Sequence, residues 1–257
     1  MRRRRRIFHA MNKKFYCFAF ILLSSVSLSA QEGGGVRQAA AGSVPSSAAA
    51  AVPEKTAAGK AKKAGKTTAG EIKDRLREWD QKLNSVKCEF TQTMYFKEAG
   101  LKQVSAGELF YLKPGLLRID TESPAQQCIT TDKKTIWIYK PADGQAVTAQ
   151  WKDWASSQGA AFAGLLDFGN YSSITETNTV ELVSADESGY VLKLKPKDSS
   201  GYTLTLVLDK DFFPSETVLD TEESSASVRL KNVKKNIDIK RDIFVFDPPK
   251  GTEIIKF

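Results

Sequence analysis

Histidine is all but missing from this sequence: the only one is His9. A domain without imidazole builds neither Ser-His-Asp nor Cys-His catalysis and holds no metal through histidine. Cysteine is scarce too, at Cys17, Cys88 and Cys128, and Cys88 has no base partner to activate it as a nucleophile. There is no glycine-rich phosphate loop, since Gly33-Gly34-Gly35 precedes no helical pattern. Surplus positive charge is absent where it would matter. The chain carries +8 overall, but residues 1–70 hold 13 of the 38 Lys+Arg and only 2 of the 30 Asp+Glu, which leaves the rest at −3. Nothing there grips a phosphate backbone, so nucleic acid is excluded as a partner of the main domain. The carboxylate pairs Glu222-Glu223 and Asp186-Glu187 lie in turn-like stretches and read as solvated charges, not acid–base pairs. No cofactor or metal is expected, and binding is favoured over catalysis.

What is present first is an address. Arg2 to Arg6 with Lys13 and Lys14 precede an apolar run from Phe15 to Leu23, which ends in the small residues Ser24 to Ala30. This is the plan of a secretory signal peptide over residues 1–30, and the run is short of the roughly 20 residues that span a bilayer. Met11 would make a more ordinary start than Met1. No cysteine near the cleavage region offers a lipid attachment site, so a soluble, exported protein is expected. Cys17 leaves with the signal. An oxidising compartment permits a bond between Cys88 and Cys128, but two small apolar side chains on strands are the preferred reading.

Residues 31–70 are rich in Ala, Gly, Ser, Pro and Lys, with Val36, Val44 and Val52 the only branched aliphatics. Such a segment buries too little to offset chain entropy and is expected to be a disordered tether. Its lysines 55, 60, 62, 63 and 66 could meet anionic headgroups, though a solvated spacer is the preferred reading.

The domain at 71–257 opens with capping-box spacing at Thr68 and Glu71, then Ile72, Leu76, Trp79 and Leu83, one stripe of an amphipathic helix. Val86, Cys88, Phe90, Gln92, Met94 and Phe96 alternate with more polar neighbours, which predicts a strand with one face buried. Strand-like stretches recur at 104–112, 116–120, 127–131, 135–139, 145–151, 180–184, 190–195, 202–209, 215–220, 225–233 and 244–246. The short connections cannot hold crossover helices, so neighbours are antiparallel, and ten or eleven such strands must curl to hide their edges. The break at 152–170 is apolar, Gly-interrupted and weakly helical, consistent with either a flap across the sheet or a packed helix.

Several pieces, weak singly but ordered, resemble the LolA family of periplasmic lipoprotein carriers. They are Phe90-Thr91-Gln92, Gly107 to Pro114, Leu117-Arg118-Ile119-Asp120, Asp132 to Pro141, the Gln145–Trp151 strand and Phe244 to Gly251. The likeness runs over roughly residues 72–255. It implies an incomplete antiparallel β-barrel with a helical lid over an apolar cavity that holds lipoprotein acyl chains. It also implies a monomer loaded by an inner-membrane ABC transporter and unloaded at an outer-membrane receptor. By alternation Cys88, Phe90, Leu109, Tyr111, Leu117 and Ile119 face the cavity, with Phe162 and Leu165 on the lid; Trp137 joins them as a candidate, although both faces of its strand are apolar. In the family an arginine before the strand-turn proline latches the lid; Lys113 stands there, without the planar fork, and Arg118 is a second candidate. The alternative is a regulatory sensor with the same half-barrel, reading lipids or lipoproteins for a membrane-bound signalling protein. A lipidated outer-membrane receptor is disfavoured by the absence of an N-terminal lipid-site cysteine.

Overall fold

The computed structural model describes residues 68–158, 171–198 and 201–256. The signal segment 1–30, all but the end of the 31–70 tether, and the lid candidates Phe162 and Leu165 lie outside the described residues. Thr68 starts helix α1 (Ala69–Lys82) by the expected capping box: its Oγ1 accepts the Glu71 N–H at 3.2 Å, and the Glu71 carboxylate accepts the Thr68 N–H at 2.7 Å. Ile72, Leu76 and Leu83 are essentially without solvent contact, and Trp79 packs beside them.

Six strands follow, β1 (Ser85–Phe96), β2 (Leu101–Leu112), β3 (Leu116–Ser123), β4 (Gln127–Thr131), β5 (Thr135–Lys140) and β6 (Gln145–Gln150). Helices α2 (Trp151–Gln158) and α3 (Tyr171–Thr177) come next. Then β7 (Asn178–Asp186), β8 (Gly189–Pro196), β9 (Thr203–Asp209), β10 (Pro214–Asp220), β11 (Ser224–Lys235) and β12 (Glu253–Lys256) complete one sheet. Its order is β12-β6-β5-β4-β3-β2-β1-β11-β10-β9-β8-β7, with β12 and β7 at the two ends among the described residues. The chain therefore winds outward from β1 to β6, crosses to the far edge at β7 and returns inward to β11 beside β1, and every pair is antiparallel except β12 with β6.

The structure departs from expectation in two places. Phe244–Phe246 is not a strand: Arg241–Phe244 is a 3-10 turn, and the last strand begins at Glu253. The apolar spacing there serves packing instead. Phe244 is buried, and the Phe246 ring lies 5.5 Å from Trp137 and 5.3 Å from Tyr139. The second is an addition, α3, a short helix in a stretch for which the sequence suggested no element; it buries Tyr171, Ile174 and Thr175.

A flat sheet of twelve strands would be about 50 Å wide at roughly 4.8 Å per strand. Yet one buried cluster joins Ile136 and Ile138 of β5, Cys88 and Phe90 of β1, and Leu192 and Leu194 of β8 with Ile72 and Leu76 of α1. The sheet is curled around its apolar side, and Trp154 of α2 and Tyr171 and Ile174 of α3 join the same cluster.

Candidate functional site

The register across the sheet builds the inner face row by row. Directly opposed residues share a face. One row runs Cys88, Leu109, Ile119, Ile129, Ile138 and Val147 from β1 to β6. Its neighbour runs Val86, Tyr111, Leu117, Thr131, Ile136 and Ala149. On the other wing Val180, Leu194, Leu204, Leu219, Ala226 and Met94 form a third, from β7 back to β1. Cys88, Phe90, Leu109, Tyr111, Leu117 and Ile119 thus share one buried face, each 4% exposed or less.

Trp137 does not belong to it. Ile136 and Ile138 take the inner positions of β5, so strict alternation turns Trp137 and Tyr139 outward, against Phe246. Arg118 is corrected in the same way. It lies between Leu117 and Ile119 and so faces outward, where Nε donates to Asp120 Oδ2 at 2.7 Å and Nη1 to the Ile243 carbonyl at 2.8 Å. It fastens the C-terminal segment to the outside of the sheet and does not reach the helices.

Lys113 does reach a helix. Its Nζ donates to the carbonyls of Asp80 and Gln81, both at 3.2 Å, at the C-terminal end of α1 where backbone acceptors lack partners. Asp80 continues the linkage. Its carboxylate, on a residue only 7% exposed, accepts the N–H of Tyr171 at 2.8 Å and of Ser172 at 2.7 Å, the first turn of α3. The β2–β3 turn, α1 and α3 are therefore joined in series. Sequence reading missed Asp80, although the signal existed: Ile72, Leu76 and Asp80 are spaced by four, which places the carboxylate on the buried stripe.

The cysteines cannot bond. Cys88 is on the inner face and Cys128, opposite Asp120 and Tyr139, on the outer, three strands away, and both are free. Burial, reinforced by Glu108 and Glu89, pushes the Cys88 thiol up to about 12. Burial and then Asp120 do the same for Cys128, also to about 12. Among the described residues no group of His, Cys, Asp and Glu could hold a metal ion, and no helix is long and apolar enough to cross a membrane.

With this geometry the comparisons with known proteins can be read. The family model described as outer membrane lipoprotein carrier protein LolA matches residues 81–247, from the last turn of α1 to beyond Phe246. The chain belongs to the LolA family. It is 33% identical over 170 residues to the outer-membrane lipoprotein carrier protein of Hahella chejuensis, covering 65% of this chain and 79% of the relative. Identity to the protein of the same name from Actinobacillus succinogenes is 29% over 186 residues, covering 72% and 84%. A solved structure of an uncharacterized conserved protein from Thermus thermophilus aligns over 74% of this chain and 100% of its own, with 13% identity and a TM-score of 0.47. Lys113, Asp80 and the β1–β6 rows all lie within or at the border of the stretch that matches the LolA model.

Proposed function

We propose that this protein is a periplasmic lipoprotein carrier, which holds acyl chains against the inner face of its curled sheet. It receives them from an inner-membrane ABC transporter and surrenders them at the outer membrane. The observation that carries the reading is the pair of apolar rows on the inner face, Cys88 to Val147 on one wing of the sheet and Val180 to Met94 on the other, in a member of a family of lipoprotein carriers.

The energetics suit a shuttle. Each buried CH₂ is worth about 0.8 kcal/mol, so a chain of about 16 carbons resists entering water by roughly 12 kcal/mol. A protein bearing two or three such chains hardly leaves a bilayer unaided. An apolar face takes a tail from the membrane at nearly constant free energy, so loading needs a driving partner and unloading only a slightly better acceptor. In this account Cys88, Phe90, Leu109, Tyr111, Leu117 and Ile119 contact the chains. Lys113 and Asp80 hold α1 and α3 together over them and yield when cargo enters.

The test is release. Purified protein is added to inner membranes that contain the transporter, ATP and a lipidated lipoprotein. The lipoprotein should appear in the soluble fraction bound to this protein; a soluble fraction that stays empty while an established carrier releases the same cargo would remove the proposal.

A further inference from the structure

Three buried side-chain atoms in the described structure have no hydrogen-bond partner: Gln92 Oε1, Thr121 Oγ1 and Gln127 Nε2. Their residues are 3%, 5% and 6% exposed. Buried polar groups are almost always paired, so three orphans in one protein call for an explanation. Their positions supply one. Gln92 of β1 alternates with Cys88 and Phe90 on the inner face and stands opposite Ser105 of β2; Thr121 of β3 stands opposite Gln127 of β4. Together they form a polar band across β1 to β4, next to the apolar rows and toward the end of the sheet where the β1–β2 and β3–β4 turns lie.

Between the two halves of the band sits Gly107, opposite both Phe90 and Thr121. A Cβ on Gly107 would meet the Asp120 carbonyl oxygen at 1.9 Å, so no side chain can fill this place. Gly107 thus lets the β2 and β3 backbones approach closely beside Thr121. The orphaned atoms are also complementary in kind. The Gln127 amide donates, the Gln92 carbonyl accepts, and the Thr121 hydroxyl does either.

We propose that this band is a subsite for the carbonyl linkage of a bound acyl group, with an N-acyl amide satisfying it best. A carbonyl oxygen accepts from Gln127 Nε2 and the Thr121 hydroxyl, and an amide N–H donates to Gln92 Oε1. An ester offers only acceptors, an ether a single weaker acceptor, and a plain hydrocarbon leaves the band unpaired. The band rests on the carrier reading and adds to it a polar register that fixes how deep the chains enter. An apolar face alone cannot set that depth, because sliding a chain along it changes little.

The experiment uses three probes of equal hydrocarbon, N-octyl octanamide, octyl octanoate and dioctyl ether, each displacing a fluorescent fatty-acid analogue from the purified protein. The amide should bind about tenfold more tightly than the ether, with the ester between, as one or two net hydrogen bonds would give. Gln92→Met with Gln127→Met should bring the three probes to one common affinity. Thr121→Val, nearly isosteric, should narrow the gap alone and serves if the double variant does not fold. Equal affinity of the three probes in the natural protein, or an order that survives these substitutions, overturns the subsite and leaves the carrier reading standing. Failure of all three probes to bind overturns both.

Discussion

Lys113 and Asp80 meet at a backbone carbonyl: Lys113 Nζ donates to the Asp80 oxygen at 3.2 Å, while the Asp80 carboxylate accepts two N–H groups at the start of α3, at 2.8 and 2.7 Å. One residue of α1 thus ties the β2–β3 turn on one side and α3 on the other.

Asp80→Ala should cost about 2 kcal/mol of stability, because two amides at a helix start lose a charged acceptor inside the fold. Asp80→Asn, which keeps one acceptor, should cost roughly half as much by the same reasoning. Urea denaturation measures both, and midpoints unchanged in the two variants would show that the α1–α3 tie is idle.

Lys113→Met should loosen α1 more than it destabilises the whole, by about 0.5 kcal/mol, the usual worth of a cation at a helix C-terminus. Hydrogen exchange at Tyr171 and Ser172 should speed up, since their acceptor Asp80 is carried on the end that Lys113 holds. Lys113→Arg should restore slow exchange. Exchange indifferent to residue 113 would make the lysine a bystander.

Leu117→Glu places a carboxylate in the middle of the inner face and should abolish lipoprotein uptake. Leu117→Met, of similar volume, should retain uptake and most stability. If the glutamate variant is folded by circular dichroism and still takes up cargo at the natural rate, the face assignment is wrong.

The two thiols predict a pH dependence. Both are raised in the fold, from about 9 to about 12. A raised acid favours the folded state while protonated, so the stabilisation is complete below pH 9 and is lost as pH climbs toward 12. Thermal melts should fall across that window and fall less in the Cys88→Ala, Cys128→Ala protein. At pH 8 neither cysteine should react with a thiol reagent until urea is added.

Much of this was legible in the sequence, for identifiable reasons. The period-two run of β1 and the period-four stripe of α1 are local, and the six inner-face positions follow from them once register is counted from Cys88. Trp137 was not legible, because Ile136-Trp137-Ile138-Tyr139 is apolar on both faces. Only the Phe246 ring, more than a hundred residues away, shows that the outer face is covered too. Arg118 failed for the same reason: its partner carbonyl at Ile243 is distant in the chain. Phe244–Phe246 mimicked a strand because a strap lying on a sheet also spaces its aromatics. The polar band was half visible, since Gln92 sits in the buried alternation, but its meaning needed Thr121 and Gln127 beside it.

The most direct measurement is mass spectrometry of the protein isolated gently from its native periplasm, under conditions that preserve complexes. The account predicts a population bound one-to-one to intact lipoproteins with all acyl chains attached, released by detergent. Protein that is always empty, or that retains only peptides lacking acyl chains, would contradict it.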